Sequence, residues 1–312
     1  MNIIYKTRDI NETDLLNTLK LWNDEKGSIY PITKKAFYQN VINYKDKEII
    51  IAYDEEKVVG FMILKKYDNK KLVDYTNSLF ISLFFVSRKY RKNGIGTKLL
   101  EFAEEKRNGR KLVIGKDIFN FFPGVPTEFD NLTDVWLEKR GFKGTRYTHD
   151  LIAYKPINFP MRNDDVTYEY CHENKKEELI EFMLKNKWGR WALEVEEYFD
   201  KKSTNDEDSF IIGIRNNKII SFVKINTYQM DMVPYNVMFQ ERFEKLGGIG
   251  PLGVDLEERK SGLGLDMLSI AISKLKEKGM KEMMIDWTGL MELYSKFGFE
   301  VWKSYKYMEK DA

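Results

Sequence analysis

Two short stretches of this chain carry residue types at a spacing that can seat an anion: RKNGIG at 91–96 and RKSGLG at 259–264. In each, two glycines let the backbone adopt conformations closed to other residues and come close to a bound group. Where such a turn opens a helix, several N–H groups converge at the end where the macrodipole favours negative charge, and an arginine adds a charge-assisted contact. The chemistry this suits is the holding of a pyrophosphate. Arg91, Gly94 and Gly96 form one such seat; Arg259, Lys260, Ser261, Gly262, Leu263 and Gly264 form the other. Spacing excludes two other phosphate turns. A dinucleotide fingerprint needs a small residue three places after its second glycine, where Leu99 and Met267 stand, and neither copy ends in Gly-Lys-Ser/Thr. Other chemistries lack their residues. The single cysteine, Cys171, and two histidines, His149 and His172, offer neither a thiolate cluster nor a zinc set, so no metal is expected. Cys171 stands beside His172, but chain neighbours rarely form a nucleophile and its base.

The elements that position these turns repeat as well. Each turn follows an apolar run (SLFISLFFV; GGIGPLGV) and precedes an amphipathic segment (GTKLLEFAEEK; GLDMLSIAISKLKEK), so each reads as strand, turn, helix. The copies lie 168 residues apart in a chain of 312, which is the scale of a duplicated domain. In the first half, NETDLLNTLKLW is a helix capped by Asn11 or Thr13, TKKAFYQNVINY a second helix, and EIIIAYD and VVGFMILKKY two strands. The first turn, its helix, the strand RKLVIGK, a loop over 117–130 and the helix NLTDVWLEKRGF follow. YKPINFPMRNDD is proline-bearing and patternless, a linker. After it the same order restarts: strand, two helices, three strands, helix, strand, helix, tail strand. The expected domains are 1–155 and 166–312, joined by 156–165. A net charge of +2 excludes the basic excess of a nucleic-acid binder. The start MNIIYKTRDINETD has charges where a signal peptide needs an apolar core, and no apolar run approaches membrane length. A cytoplasmic protein without membrane or nucleic-acid partners is expected, and a homodimer is admitted.

The turn resembles the acetyl-CoA signature of the GNAT acyltransferases, Arg/Gln-x-x-Gly-x-Gly/Ala, matched by Arg91, Gly94 and Gly96 and again by Arg259, Gly262 and Gly264. Each half also ends a short helix in Gly-Phe, at Gly141-Phe142 and Gly298-Phe299. The resemblance implies an α/β (α+β) architecture of two tandem GNAT domains, each a mixed, mostly antiparallel sheet flanked by helices, with acetyl-CoA as cosubstrate. In that family a tyrosine on the helix before Gly-Phe protonates the departing thiolate. Tyr294 stands four residues before Gly298, whereas Leu137 stands four before Gly141. A phenol of pKa about 10 can supply that proton and a leucine cannot, so the resemblance places catalysis in the second half. By the same analogy the Val254 N–H polarises the thioester carbonyl, with Val86 its equivalent in the first half. Asp286, in MMIDWTG, is read either as the base for the amine or as a carboxylate capping the following helix. Asp255, Glu257 and Glu258 are read as solvent-facing or substrate-attracting.

For the acceptor, Trp188, Trp191 and Trp287 offer stacking faces and Glu194, Asp231 or Asn236 groups for hydroxyls, although tryptophans near helix starts also serve as core. DWTGLMELYSKFGFEVWKSY and the FFPGVP loop are similar to tandem GNAT proteins that acetylate glucosamine and glucosaminides. The function expected is N-acetylation of an aminosugar by direct attack through a tetrahedral intermediate. The alternatives are a polyamine, antibiotic or peptide amine as acceptor, or an acyl-CoA-binding module without turnover. The first half, with Phe119, Phe121 and Phe122 placed to plug its cleft or brace an interface, is read as a scaffold, and its own turn at Arg91, Gly94 and Gly96 leaves open a second CoA site without turnover.

Overall fold

A computed structural model describes residues 2–68, 72–129, 132–201 and 208–312. Asp130 of the loop read over 117–130 and Asn131 of the helix that follows lie outside these. The chain divides into one unit of Met1–Thr148 with Lys303–Ala312 and another of His149–Trp302.

In chain order the first half forms β1 (Ile3–Lys6), α1 (Glu12–Lys26), α2 (Lys34–Phe37), β2 (Lys47–Asp54), β3 (Lys57–Lys66), α3 (Val73–Thr76), β4 (Ser78–Val86), α4 (Ile95–Lys106), β5 (Lys111–Ile114), β6 (Val125–Pro126), α5 (Thr133–Glu138) and β7 (Lys143–Ala153). The second forms β8 (Thr167–Tyr170), α6 (Lys176–Lys185), α7 (Gly189–Lys201), β9 (Phe210–Arg215), β10 (Lys218–Thr227), β11 (Leu246–Val254), α8 (Leu263–Glu277), β12 (Glu282–Thr288), α9 (Met291–Ser295) and β13 (Glu300–Lys310). Asn11 rather than Thr13 caps α1, because Asp14 returns a bond to the Asn11 N–H and closes a capping box. The second expected helix is only α2 followed by one wide turn at Tyr38–Ile42.

Within the first unit the antiparallel run β1-β2-β3-β4 is extended by β5, parallel to β4, and by the end of β13, whose Glu309 and Lys310 pair antiparallel with β5 and whose Tyr305 and Lys306 pair with β6. Within the second, β8-β9-β10-β11 run antiparallel, β12 joins β11 in parallel, and residues 149–153 of β7 pair with β12. The tail strand of each half of the sequence is thus built into the sheet of the other unit. The apolar stripes read in the sequence face these sheets. Leu99, Leu100 and Ala103 of α4 pack on Ile50, Val59, Met62 and Ile81, and Met267, Ala271, Ile272 and Leu275 of α8 pack on Val223, Ile225, Ile249 and Ile285. No helix among the described residues is long and apolar enough to cross a membrane.

The segment read as a patternless linker is pinned inside the second unit. The Phe159 N–H donates to Ser269 Oγ at 3.1 Å, and the Arg162 and Asn163 N–H groups donate to the two carboxylate oxygens of Asp266 at 3.0 and 3.1 Å. Asp266 is 1% exposed, so Asp266→Ala takes the acceptor from the Arg162 and Asn163 N–H groups and from the Tyr168 hydroxyl. The expected result is a loss of about 2 kcal/mol in denaturant unfolding together with new protease cleavage between 157 and 163.

Candidate active site

Both glycine turns have one backbone. A short 3-10 turn (Arg88–Tyr90; Leu256–Glu258) leads to a residue at positive φ (Lys92, 63°; Lys260, 71°) and then to a left-handed glycine capping the helix (Gly94, 79°; Gly262, 90°). Only glycine adopts that last conformation without strain. A side chain at Gly264 would meet nothing nearer than Val254 at 3.8 Å, whereas at Gly96 it would meet Phe84 and Trp136, both at 3.6 Å. Asp255 is a correction: it is 6% exposed, accepts from the Glu257 N–H at 3.1 Å and pairs with Lys185 at 2.9 Å. The turn needs an acceptor there, and that need outweighs solvation. Glu258 pairs with Arg215, while Glu257 is exposed.

Beside the second turn two strands part. The parallel ladder between β11 and β12 runs from Leu246↔Glu282 to Ile249↔Ile285, while β11 continues on β10 to Ser221↔Val254. Asp286 is the first residue of β12 beyond the ladder. Asn236, 3% exposed, donates from Nδ2 to Asp286 Oδ1 at 3.1 Å, and its own Oδ1 accepts from Asn226 at 3.0 Å. The Asp286 carboxyl is half-buried, and desolvation, reinforced by the nearby Glu194 charge, pushes its pKa up to about 6 against the pull of Asn236 and Arg190. A group of that pKa takes up and releases protons near neutrality.

Tyr294 is 8% exposed and packs its ring against Phe299, 6.3 Å between centroids. Burial, then the charge of Asp286, pushes its pKa up to about 12, while a hydrogen bond from Thr288 opposes the shift. The Thr288 oxygen accepts from the Leu290 N–H at 3.0 Å, which leaves its hydroxyl proton for the phenol. Tyr294 therefore holds its proton throughout the range in which Asp286 titrates.

Gly248 makes the Asn236 contact feasible. A Cβ on Gly248 would overlap the Asn236 side chain, so Gly248→Ala is expected to lower turnover about 10- to 100-fold by displacing the amide that orients Asp286, with the far-UV dichroism retained. Steady-state assay beside dichroism checks this.

The first unit has the same opening without these groups. Its ladder runs from Ser78↔Lys111 to Ile81↔Ile114, and the next residue, in register with Asp286, is Gly115. Its φ is +66° and a side chain there would collide with the Phe122 carbonyl. Leu137 and Tyr294 share one backbone bond, from Phe142 N–H to the Leu137 carbonyl and from Phe299 N–H to the Tyr294 carbonyl. The loop at 117–129 packs into this unit through Ile118, Phe121, Phe122 and Val125, all buried, with Phe122 against Trp22 at 5.4 Å and Tyr30 at 5.3 Å. The Arg91 guanidinium is turned inward and donates to the Val86 carbonyl at 3.1 Å.

The acceptor residues read from sequence separate. Glu194 is half-buried and accepts from Arg190 at 3.3 Å, and Arg190 lies 4.4 Å over the Trp287 ring, next to Asp286. Trp188 and Trp191 pack on each other and on Phe222, so much of their surface serves the core. Asp231 is exposed. Cys171 is buried, and burial pushes its thiol pKa up to about 12, which disqualifies it as a nucleophile. Sequence reasoning missed the bond between Asn236 and Asp286 and passed over Lys224, Asn226, Arg190 and Glu197. A lysine inside the apolar strand SFVKINT was the available signal.

The profile of the Acetyltransferase (GNAT) family matches residues 15–114 and 168–299. The chain belongs to that family and is an acetyltransferase with two GNAT regions. No curated protein matches it. Among solved structures, a GCN5-related glucosamine N-acetyltransferase region of a fungal multi-domain GH3 beta-N-acetylglucosaminidase superposes with a TM-score of 0.88 at 22% identity, over 99% of this chain and 38% of that longer one. A GCN5-related N-acetyltransferase from Sphaerobacter thermophilus gives 0.70 at 12% identity, over 99% and 95% of the two chains. A tandem GNAT protein from the clavulanic acid biosynthesis pathway gives 0.69 at 11%, over 99% and 98%.

Proposed function

We propose that the second unit transfers acetyl from acetyl-CoA to the primary amine of an aminosugar, glucosamine or a glucosaminide, while the first unit is a scaffold without turnover. The observation that carries this is the pairing of Asp286 and Tyr294 in the opening past Ile249↔Ile285, set against Gly115 and Leu137 in the first unit. The turn from Arg259 to Gly264 holds the CoA pyrophosphate on its N–H groups, and the end of β11 at Val254 lies along the arm. Asp286, held by Asn236, takes the proton of the attacking amine, and Tyr294, steadied by Thr288, returns one to the CoA thiolate. The chemistry needs no covalent enzyme intermediate.

The sugar acceptor is favoured by the likeness to the glucosamine N-acetyltransferase region and by the polar lining around Asp286. The test is CoA release, read with a thiol reagent, on glucosamine, a glucosamine disaccharide, spermidine and a short peptide. Selective turnover of the sugars supports the reading, and preference for spermidine or the peptide replaces the acceptor. Tight acetyl-CoA binding with no turnover of any amine favours the binding module, which the intact backbone of both turns would also serve.

A further inference from the structure

On α7, Arg190, Glu194 and Glu197 recur at i, i+4 and i+7 and so share one stripe, distinct from the stripe of Ala192, Val195 and Tyr198 that enters the core. All three charged side chains are half-buried, at 19%, 25% and 25% exposure. The contact of Arg190 with Trp287 sets this stripe beside Asp286. A helix that turns charge inward over a sheet departs from ordinary patterning, and such departures concentrate where a ligand is handled.

The sheet answers with a charge of its own. Along β10, Val223 and Ile225 pack with α8, while Phe222 packs with the aromatic residues of α6 and α7. Alternation puts Lys224 on that second face, at the irregularity where β10 and β11 slip register between Val223 and Ile225. Lys224 is 5% exposed. Its ammonium lies 5.3 Å from the Phe210 ring centroid, and among the described residues it has neither a hydrogen-bond acceptor nor a carboxylate within ion-pair distance. Burial lowers its pKa, and Glu194, Asp286 and Glu197 act on it from farther off in the opposite sense. The first unit shows what a satisfied buried lysine looks like here: Lys65 donates to Asp117 at 2.8 Å and to the Phe119 carbonyl at 2.9 Å. By the strand register Asn226 stands where Lys65 does and Thr288 where Asp117 does, so the second unit keeps neither member of that pair, and Lys224 lies two residues before the Lys65 position on the same face of its strand.

We propose that Lys224 is a specificity residue of the acceptor subsite, its ammonium donating to a hydroxyl or ring oxygen of a polyhydroxylated amine whose other hydroxyls meet Glu194 and Glu197. The inference rests on the reading of the second unit as the catalytic one. An anionic acceptor would face three carboxylates, and a polyamine would set a second ammonium against Lys224 and Arg190. A sugar carries donors and acceptors on neighbouring carbons and pairs with both signs of charge.

The test compares Lys224→Met, which removes the charge at similar length, with the unaltered chain on glucosamine and on cyclohexylamine, an amine of similar size without hydroxyls. The expected result is a KM for glucosamine raised about 10- to 100-fold, with kcat, the KM for acetyl-CoA and the KM for cyclohexylamine unchanged. Lys224→Gln, which keeps a donor, is expected to recover part of the loss. Equal change for both amines, or none for either, overturns the inference. Glucosamine binding by saturation-transfer NMR separates it from the parent reading. Binding lost in Lys224→Met but present in an unaltered chain that turns nothing over would sink the catalytic reading and support the subsite, whereas no binding to the unaltered chain overturns the subsite.

Discussion

Asp286→Asn is expected to lower kcat/KM for the acceptor about a thousandfold while acetyl-CoA binding, measured by calorimetry, is unchanged. Asparagine keeps an oxygen for the Asn236 donor, so the geometry at 3.1 Å survives and only the proton acceptor is lost. The unaltered chain should lose activity as pH falls through about 6, where burial has placed the Asp286 pKa, and the variant's residual activity should lack that limb. The stability effect has the opposite sense. A carboxyl whose pKa is raised on folding binds its proton more tightly in the folded state, so its buried charge costs stability above about pH 6 and the cost is relieved as pH falls from 6 towards 4. Because the half-buried carboxylate keeps part of its hydration, the expected gain of Asp286→Asn at pH 7 is on the order of 1 kcal/mol in denaturant unfolding. A variant that is less active and more stable marks a group kept for chemistry. A less stable variant, or a pH profile flat from 5 to 7, would argue that Asp286 only caps the helix behind it.

Tyr294→Phe is expected to lower kcat about a hundredfold with little change in the Kd of acetyl-CoA. Phenylalanine preserves the ring contact with Phe299 and the place in the core beside Phe297, so packing is retained. The lost hydroxyl takes away the acceptor of the Thr288 O–H, whose oxygen still accepts from the Leu290 N–H, so a stability loss on the order of 1 kcal/mol is expected beside the kinetic effect. What disappears is the proton for the thiolate. Poor CoA leaving groups should therefore suffer more than good ones, and a thioester of a more acidic thiol should recover part of the rate. Because the Tyr294 pKa lies at about 12, no alkaline limb below pH 9 is expected from it. Activity unchanged in the variant would return Tyr294 to the core.

Much of the fold was legible because it was written twice. The turns, the helices behind them and the two Gly-Phe ends repeat in one order, and local patterns of that kind survive in a single sequence. The contrast between Tyr294 and Leu137 was legible for the same reason. The contrast between Asp286 and Gly115 was hidden, because it depends on the register Ile249↔Ile285 and Ile81↔Ile114, and no local signal fixes which residues of two parallel strands face each other. Asn236 lies in an irregular segment far along the chain, and only packing against Gly248 brings its amide to Asp286. The segment at 157–163 read as a linker because its anchors, Asp266 and Ser269, look like ordinary positions of an amphipathic helix. Both tail strands were visible as strands, but their exchange between sheets is tertiary information that no strand signal carries.

The most direct measurement is CoA release from acetyl-CoA and glucosamine by the unaltered chain beside the double variant Asp286→Asn, Tyr294→Phe. Turnover in the first and only background release in the second, with acetyl-CoA still bound, is the predicted result. Turnover undiminished in the double variant would contradict the assignment of the chemistry to the second unit.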